Sequence, residues 1–133
     1  MNIYYAHPMS MYGTREEKLK KAQIKRAFPG SHIVDPSLFP DHEMAYYLRR
    51  VERCNMVVFS RLEGKIGAGI GKEINHALKS GMPVFELLNG GNVTVVTEPV
   101  KHLTVAETIK LLKKSGYYNR KAVSKKQRLV GKN

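Results

Sequence analysis

Residues 64–73, Gly-Lys-Ile-Gly-Ala-Gly-Ile-Gly-Lys-Glu, limit the folds open to this chain more than any other stretch. Four glycines, Gly64, Gly67, Gly69 and Gly71, are followed by Glu73. The apolar run Met56-Val57-Val58-Phe59 precedes them, and Ile74, Ala77 and Leu78 follow at helical spacing. That order reads as strand, glycine loop, helix. In an open α/β sheet such a loop lies at the carboxyl end of a strand, where these folds bind ligands. Glycine lets backbone amides come close to a ligand, and a helix N-terminus favours negative charge there. Glu73 then falls in the first turns of the helix, at the floor of the crevice.

Two common phosphate motifs fail on spacing. A P-loop needs a glycine five residues before its Gly-Lys pair and Ser or Thr after it; Ile66 and Glu73 hold those places. A dinucleotide loop needs a third glycine where Lys72 stands. A tight turn with Glu73 as a favourable helix-start charge is the plain alternative.

The rest of the chain repeats the strand–helix alternation. Residues 2–6 are β-branched and aromatic, which predicts a first strand ended by Pro8. Thr14 with Glu17 three residues on is a capping box opening a helix that stops at Pro29-Gly30. A second strand is expected at 32–35, a helix from Asp41 through Val51, and a third strand at 55–60. The third helix is expected from about Gly69 to Lys79, a fourth strand at 83–87, a fifth at 92–97 and a last helix at 104–114. Strands alternating with helices predict an open, mostly parallel α/β sheet with helices on both faces. If the strand order is 2-1-3-4-5, the turns after strands one and three face one crevice. Ser10, Gly13, Thr14 and Arg15 then offer a hydroxyl, amides, a helix start and a guanidinium to a phosphate. An ordinary helix cap beside a surface arginine is the alternative.

The formal charge is +12, and residues 120–133 hold six of the basic residues and no acid. The expected division is a domain over 1–119 and a basic, disordered tail over 120–133. The remaining net +6 of the body suits an anionic substrate. Tyr117-Tyr118 and the tail could contact nucleic acid, a reading less favoured than a solubilising tail. One cysteine, Cys54, no basic leader and no long apolar run predict a cytoplasmic chain without a membrane span. His76, three after Glu73, is a metal half-site without evident partners, so no metal is expected. No cofactor is expected either.

Two motifs together carry a family resemblance. Ser10-Met11-Tyr12-Gly13-Thr14-Arg15-Glu16-Glu17 resembles the Ser-x-Arg-Gly-Gly-Arg-Glu-Asp loop of the 2'-deoxynucleoside 5'-phosphate N-hydrolases. Gly69-Ile70-Gly71-Lys72-Glu73-Ile74-x-x-Ala77 is similar to their Gly-Val-Gly-Tyr-Glu-Leu-Gly-Arg-Ala segment. These enzymes belong to the nucleoside 2-deoxyribosyltransferase superfamily. The resemblance covers Ile3 to about Leu88. It implies a flavodoxin-like five-stranded sheet, a homodimer and cleavage of the N-glycosidic bond of a (deoxy)nucleoside 5'-monophosphate. It makes Glu73 the nucleophile and puts Ser10, Gly13 and Arg15, with Thr14 between them, in the phosphate loop. Tyr5 falls where the family lines the sugar and base; His7, just after it, is expected at the substrate, and both are proton-donor candidates by position only. Gly69 and Gly71 fall at the substrate side of the glycine segment. The chain departs from the pattern at Gly67, where the transferases carry an aspartate, and at Tyr47, where the hydrolases carry one. Transfer, or nucleotide binding without cleavage, is the alternative activity.

Overall fold

The structure, a computed structural model, describes residues 1–117. The first apolar stretch forms β1 (Asn2–Ala6), and the Thr14-capped segment forms α1 (Arg15–Ala27). β2 (His32–Val34) is short, and α2 (Met44–Glu52) follows a proline-rich loop. The continuous apolar run forms β3 (Met56–Phe59), every residue of it buried, as a strand covered on both faces must be. The glycine segment opens α3 (Ala68–Lys79). β4 (Val84–Leu87), β5 (Val93–Val96) and α4 (Val105–Lys114) complete the described chain.

The sheet order is β2-β1-β3-β4-β5. β1 pairs in parallel with both β2 and β3, and β3 with β4. β5 runs antiparallel to β4. The fold is therefore an open, mostly parallel α/β sheet in the flavodoxin-like order, with an antiparallel edge. The hairpin at Gly90 and Gly91, both at positive φ, returns the chain too soon for a parallel crossover.

Side chains of β1 alternate between two cores. Tyr4 and Ala6 join Val57, Phe59 and Val84 under Val51 of α2 and Ile74 and Ala77 of α3. Ile3 and Tyr5 join Met56, Val58 and Leu87 under Ile24 of α1. Full burial of one such side chain contributes about 1.5–3 kcal/mol, so the two cores fix which face each residue takes.

Three helix starts differ from the sequence pattern, and β2 to β5 are each one or two residues shorter than expected. α2 begins at Met44 rather than Asp41, because Asp41 has a positive φ of 66° that no helix accepts. α3 begins one residue earlier than expected, and α4 one later, with Thr104 as its cap. The expected tail, with its nucleic-acid contact, and the end of the expected domain at 119 lie outside the described residues. No helix among the described residues is long and apolar enough to cross a membrane.

Candidate functional site

β1 and β3 are neighbours, so the turns after them meet at their carboxyl ends. Between them lies a cavity of about 780 Å³. His7, Pro8, Met9 and Tyr12 line it from the turn after β1, and Gly67, Gly69, Ile70 and Glu73 from the start of α3. Asp41, His42, Met44 and Tyr47 close one side, and Thr108, Leu111, Leu112 and Tyr117 another.

Glu73 is buried and faces the cavity. Tyr4 donates its hydroxyl hydrogen to Glu73 Oε2 from the adjacent strand. Burial raises the Glu73 carboxyl to about 7, and the hydrogen bond from Tyr4 only partly opposes this. Burial, then the neighbouring Glu73 charge, pushes the Tyr4 phenol far up, so Tyr4 stays a donor. Tyr12 is also raised, by burial first and by Glu73 second. Tyr47 is raised by burial, with Glu73 a smaller cause, and its hydroxyl donates to the Phe39 carbonyl at 2.7 Å. His42 stacks on Tyr46 at 3.7 Å between ring centroids. The site is thus a carboxylate with one O–H donor, enclosed by flat aromatic rings and thioethers.

The glycines before Glu73 serve packing as much as approach to a ligand. A Cβ on Gly67 would lie 3.1 Å from Thr108 Cγ2, and one on Gly69 3.2 Å from Met44 Cε. A Cβ on Gly71 would collide with the His102 ring, so this expected substrate residue holds a packing contact instead and lies outside the cavity wall. The close approach at Gly67 lets Thr108 Oγ1 accept the Ala68 N–H at 2.9 Å, capping α3 from α4. The amides of Gly69 and Ile70 have no acceptor among the described residues, and both residues line the cavity.

Of the residues expected to bind or react, His7, Gly69 and Glu73 share the cavity. Tyr5 does not reach Glu73. The strand alternation puts it on the α1 face, where its hydroxyl pairs with Ser60 Oγ at 2.7 Å. Burial raises its phenol strongly. Tyr4 holds the place expected of Tyr5; the tyrosine pair was visible in sequence, the face under α3 was not.

The expected phosphate loop is occupied from within. Thr14 Oγ1 accepts the Glu17 N–H at 3.2 Å and donates to the Met11 carbonyl at 2.5 Å. Glu17 does not complete the capping box. Its Oε1 accepts the Gly13 N–H at 3.2 Å, and its Oε2 lies 2.7 Å from His7 Nε2. Burial acts to raise Glu17, but the His7 hydrogen bond and the Gly13 amide outweigh it, and the net shift is downward. Arg15 is exposed, and Ser10, Gly13, Thr14 and Arg15 are not among the cavity walls.

His7 itself is buried, stacked on Tyr5 at 4.1 Å and tilted against Tyr12 at 5.0 Å. Asp35 lies 3.7 Å from His7 Nε2 and accepts from Lys21 Nζ at 2.7 Å. Burial acts to raise Asp35; the Lys21 and Ser37 hydrogen bonds carry it the other way, below the ordinary value. Glu17 stood out in sequence only as a helix-capping residue, and Asp35 not at all, because their partners lie in other elements. His76, the metal half-site of the sequence, pairs with Glu52 at 2.8 Å on the exposed side.

Comparison of the chain with family models, with curated proteins and with solved structures finds no match to any of them.

Proposed function

We propose that the protein is a hydrolase that cleaves an N-glycosidic bond between a (deoxy)ribosyl group and a nucleobase, with Glu73 as nucleophile. One observation carries the reading: a buried carboxylate, oriented by Tyr4, on the floor of an aromatic-lined cavity at the carboxyl ends of β1 and β3. A carboxylate below the anomeric carbon stabilises an oxocarbenium-like transition state and can trap it. Glu73 Oε forms an ester to the anomeric carbon as the carbon–nitrogen bond breaks. The base leaves with that electron pair and takes up a proton. Water then adds to the same carbon and gives up a proton, freeing Glu73 with retention. Tyr12, Tyr47 and Tyr117 offer faces for a planar base. Asp41 and His42, at the cavity side, are the groups for the proton.

The glycosidic half of this reading has more support than a 5'-phosphate. No Lys or Arg among the described residues lines the cavity, and Glu17 already takes the Gly13 amide. Incubation with matched nucleosides and 5'-monophosphates, followed by chromatography for free base, tests it. Release of base from either series, rising with pH through about 7, is expected. No base from any substrate would remove the hydrolase reading. A second reading, binding without cleavage, is favoured by one observation: burial raises the Glu73 carboxyl toward neutral pH, which favours its uncharged form. Retention of a nucleoside with no base released at pH 8.5 or so would select it.

A further inference from the structure

A second buried polar cluster lies where β1, α1 and β2 meet. His7 Nε2 is 2.7 Å from Glu17 Oε2 and 3.7 Å from Asp35 Oδ1. All three residues are buried, and their donor atoms lie within 4.8 Å of one another.

The remaining atom of each group is tied elsewhere. His7 Nδ1 faces the Tyr5 carbonyl at 2.8 Å, which fixes the ring hydrogen on Nδ1 and turns Nε2 inward. Glu17 Oε1 is held by the Gly13 amide, and Asp35 Oδ2 by Lys21. His7 and Glu17 are thus each gripped through one atom and present the other inward; Asp35 Oδ1, which faces His7, also accepts the Ser37 N–H at 2.9 Å and has a second lone pair for a cation. Metal ligands are held in this way, the imidazole by a backbone carbonyl and the carboxylates by donors behind them.

Nε2 and a carboxylate oxygen at 2.7 Å are two acceptors face to face unless a positive charge lies between them. A proton meets that need at this distance, and so does a metal ion once the pair opens slightly. Bonds of about 2.0–2.2 Å at tetrahedral angles put neighbouring donors about 3.4 Å apart. The His7–Asp35 separation is already close to this, and the His7–Glu17 pair must widen by less than about 1 Å. Lys21 is the competing cation, but it uses the far oxygen of Asp35, and its side chain is 31% exposed.

We propose that His7, Glu17 and Asp35 form a binding site for one divalent cation of the zinc class. One imidazole and two carboxylates suit Zn²⁺ or Mn²⁺; Ca²⁺ and Mg²⁺ ask for a fuller set of oxygens. The donors are buried, so the ion is a clamp. It ties the end of β1 to the first turn of α1 and the end of β2, and it fixes the His7 ring that walls the cavity. The proposal is independent of Glu73 chemistry, and either can fail alone.

The test uses the full chain, stripped with chelator and titrated with Zn²⁺ against a chromogenic competitor. One equivalent per chain should bind with submicromolar affinity. A hundredfold excess over that Kd should raise Tm by about 5–10 °C. Glu17→Gln and Asp35→Asn should each weaken binding by tenfold or more, while His42→Ala and His76→Ala leave it unchanged. Where a variant does not fold, the wild-type Co²⁺ complex decides: the largest hyperfine shifts must fall on His7, Gly13 and Asp35. No binding tighter than about 10 μM, or hyperfine shifts centred on another histidine, would overturn the proposal and leave a proton-bridged ion pair.

Discussion

Glu17 and Glu73 are both buried carboxylates early in a helix that follows a turn at the carboxyl end of a central strand. The first accepts from a backbone amide and faces His7; the second accepts from the Tyr4 hydroxyl. Burial opposes the charge of both. At Glu17 the surrounding donors win and the carboxyl is lowered, whereas at Glu73 burial wins and the carboxyl rises to about 7. The turn after β1 has its polar groups tied to one another, and the turn after β3 leaves its carboxylate exposed to a cavity. In sequence each turn carries glycine and is followed by a glutamate in the first turns of a helix. What separates them is the number of donors that distant elements bring.

The largest effect tests the chemical side of that contrast. Glu73→Gln is nearly isosteric and keeps the Tyr4 bond, but it removes the charge that meets the oxocarbenium ion. We expect kcat for base release to fall at least about a thousandfold, about 4 kcal/mol, with nucleoside affinity little changed. Turnover near the wild-type rate would make Glu73 another internally satisfied group, like Glu17.

The same substitution has a stability signature of opposite sign. A carboxyl raised from 4.5 to about 7 binds a proton in the folded state that the unfolded chain has lost. Stability from this group is therefore full below about 4.5 and declines as pH rises, until the loss is complete above about 7. The total is about 3 kcal/mol. Glu73→Gln lacks this loss, so its Tm should overtake that of the wild type as pH increases, with the widest gap above pH 7. A gap that does not vary with pH would show that Glu73 is ionised at little cost.

Tyr4 and Tyr5 offer a smaller and sharper comparison. A hydrogen bond to a charged group is worth about 1.5–3 kcal/mol. Tyr4→Phe should therefore move the rising limb of the rate–pH profile about 1–2 units toward alkali. Tyr5→Phe breaks the Ser60 contact on the other face and should lower stability while leaving that limb in place. A shift with Tyr5→Phe alone would reverse the assignment.

These pairs also mark what could be read from the chain. The β3 run, the glycine break and the helical spacing after it placed Glu73 at a strand end, because each is a local pattern. Alternation put Tyr4 and Tyr5 on opposite faces, but only packing against Ile74 and Ala77 of α3 shows which face holds the carboxylate. The Thr14–Glu17 spacing gave the start of α1 correctly. It did not reveal that His7 draws the Glu17 side chain away from the cap, since that contact closes across ten residues. Asp35 was less visible still: His7 and Lys21 approach it from two other elements. The antiparallel direction of β5 follows from a short glycine hairpin whose length alone decides it.

Arg15 gives the smallest expected effect and the clearest way to reopen the contrast. The resemblance assigns it to a 5'-phosphate loop, beside Ser10 and Gly13. In the fold it is the exposed first residue of α1, away from the cavity walls. The Gly13 amide beside it is occupied by Glu17, whose negative charge repels a phosphate. Arg15→Ala should then change kcat/KM for nucleosides and for 5'-monophosphates alike, by less than about twofold, or under about 0.5 kcal/mol. A lost phosphate contact would instead cost about 1.5–3 kcal/mol on the monophosphates alone, tenfold or more. That selective loss would mean that Glu17 releases Gly13 when a phosphate arrives, and that the turn after β1 opens to ligand as the turn after β3 does.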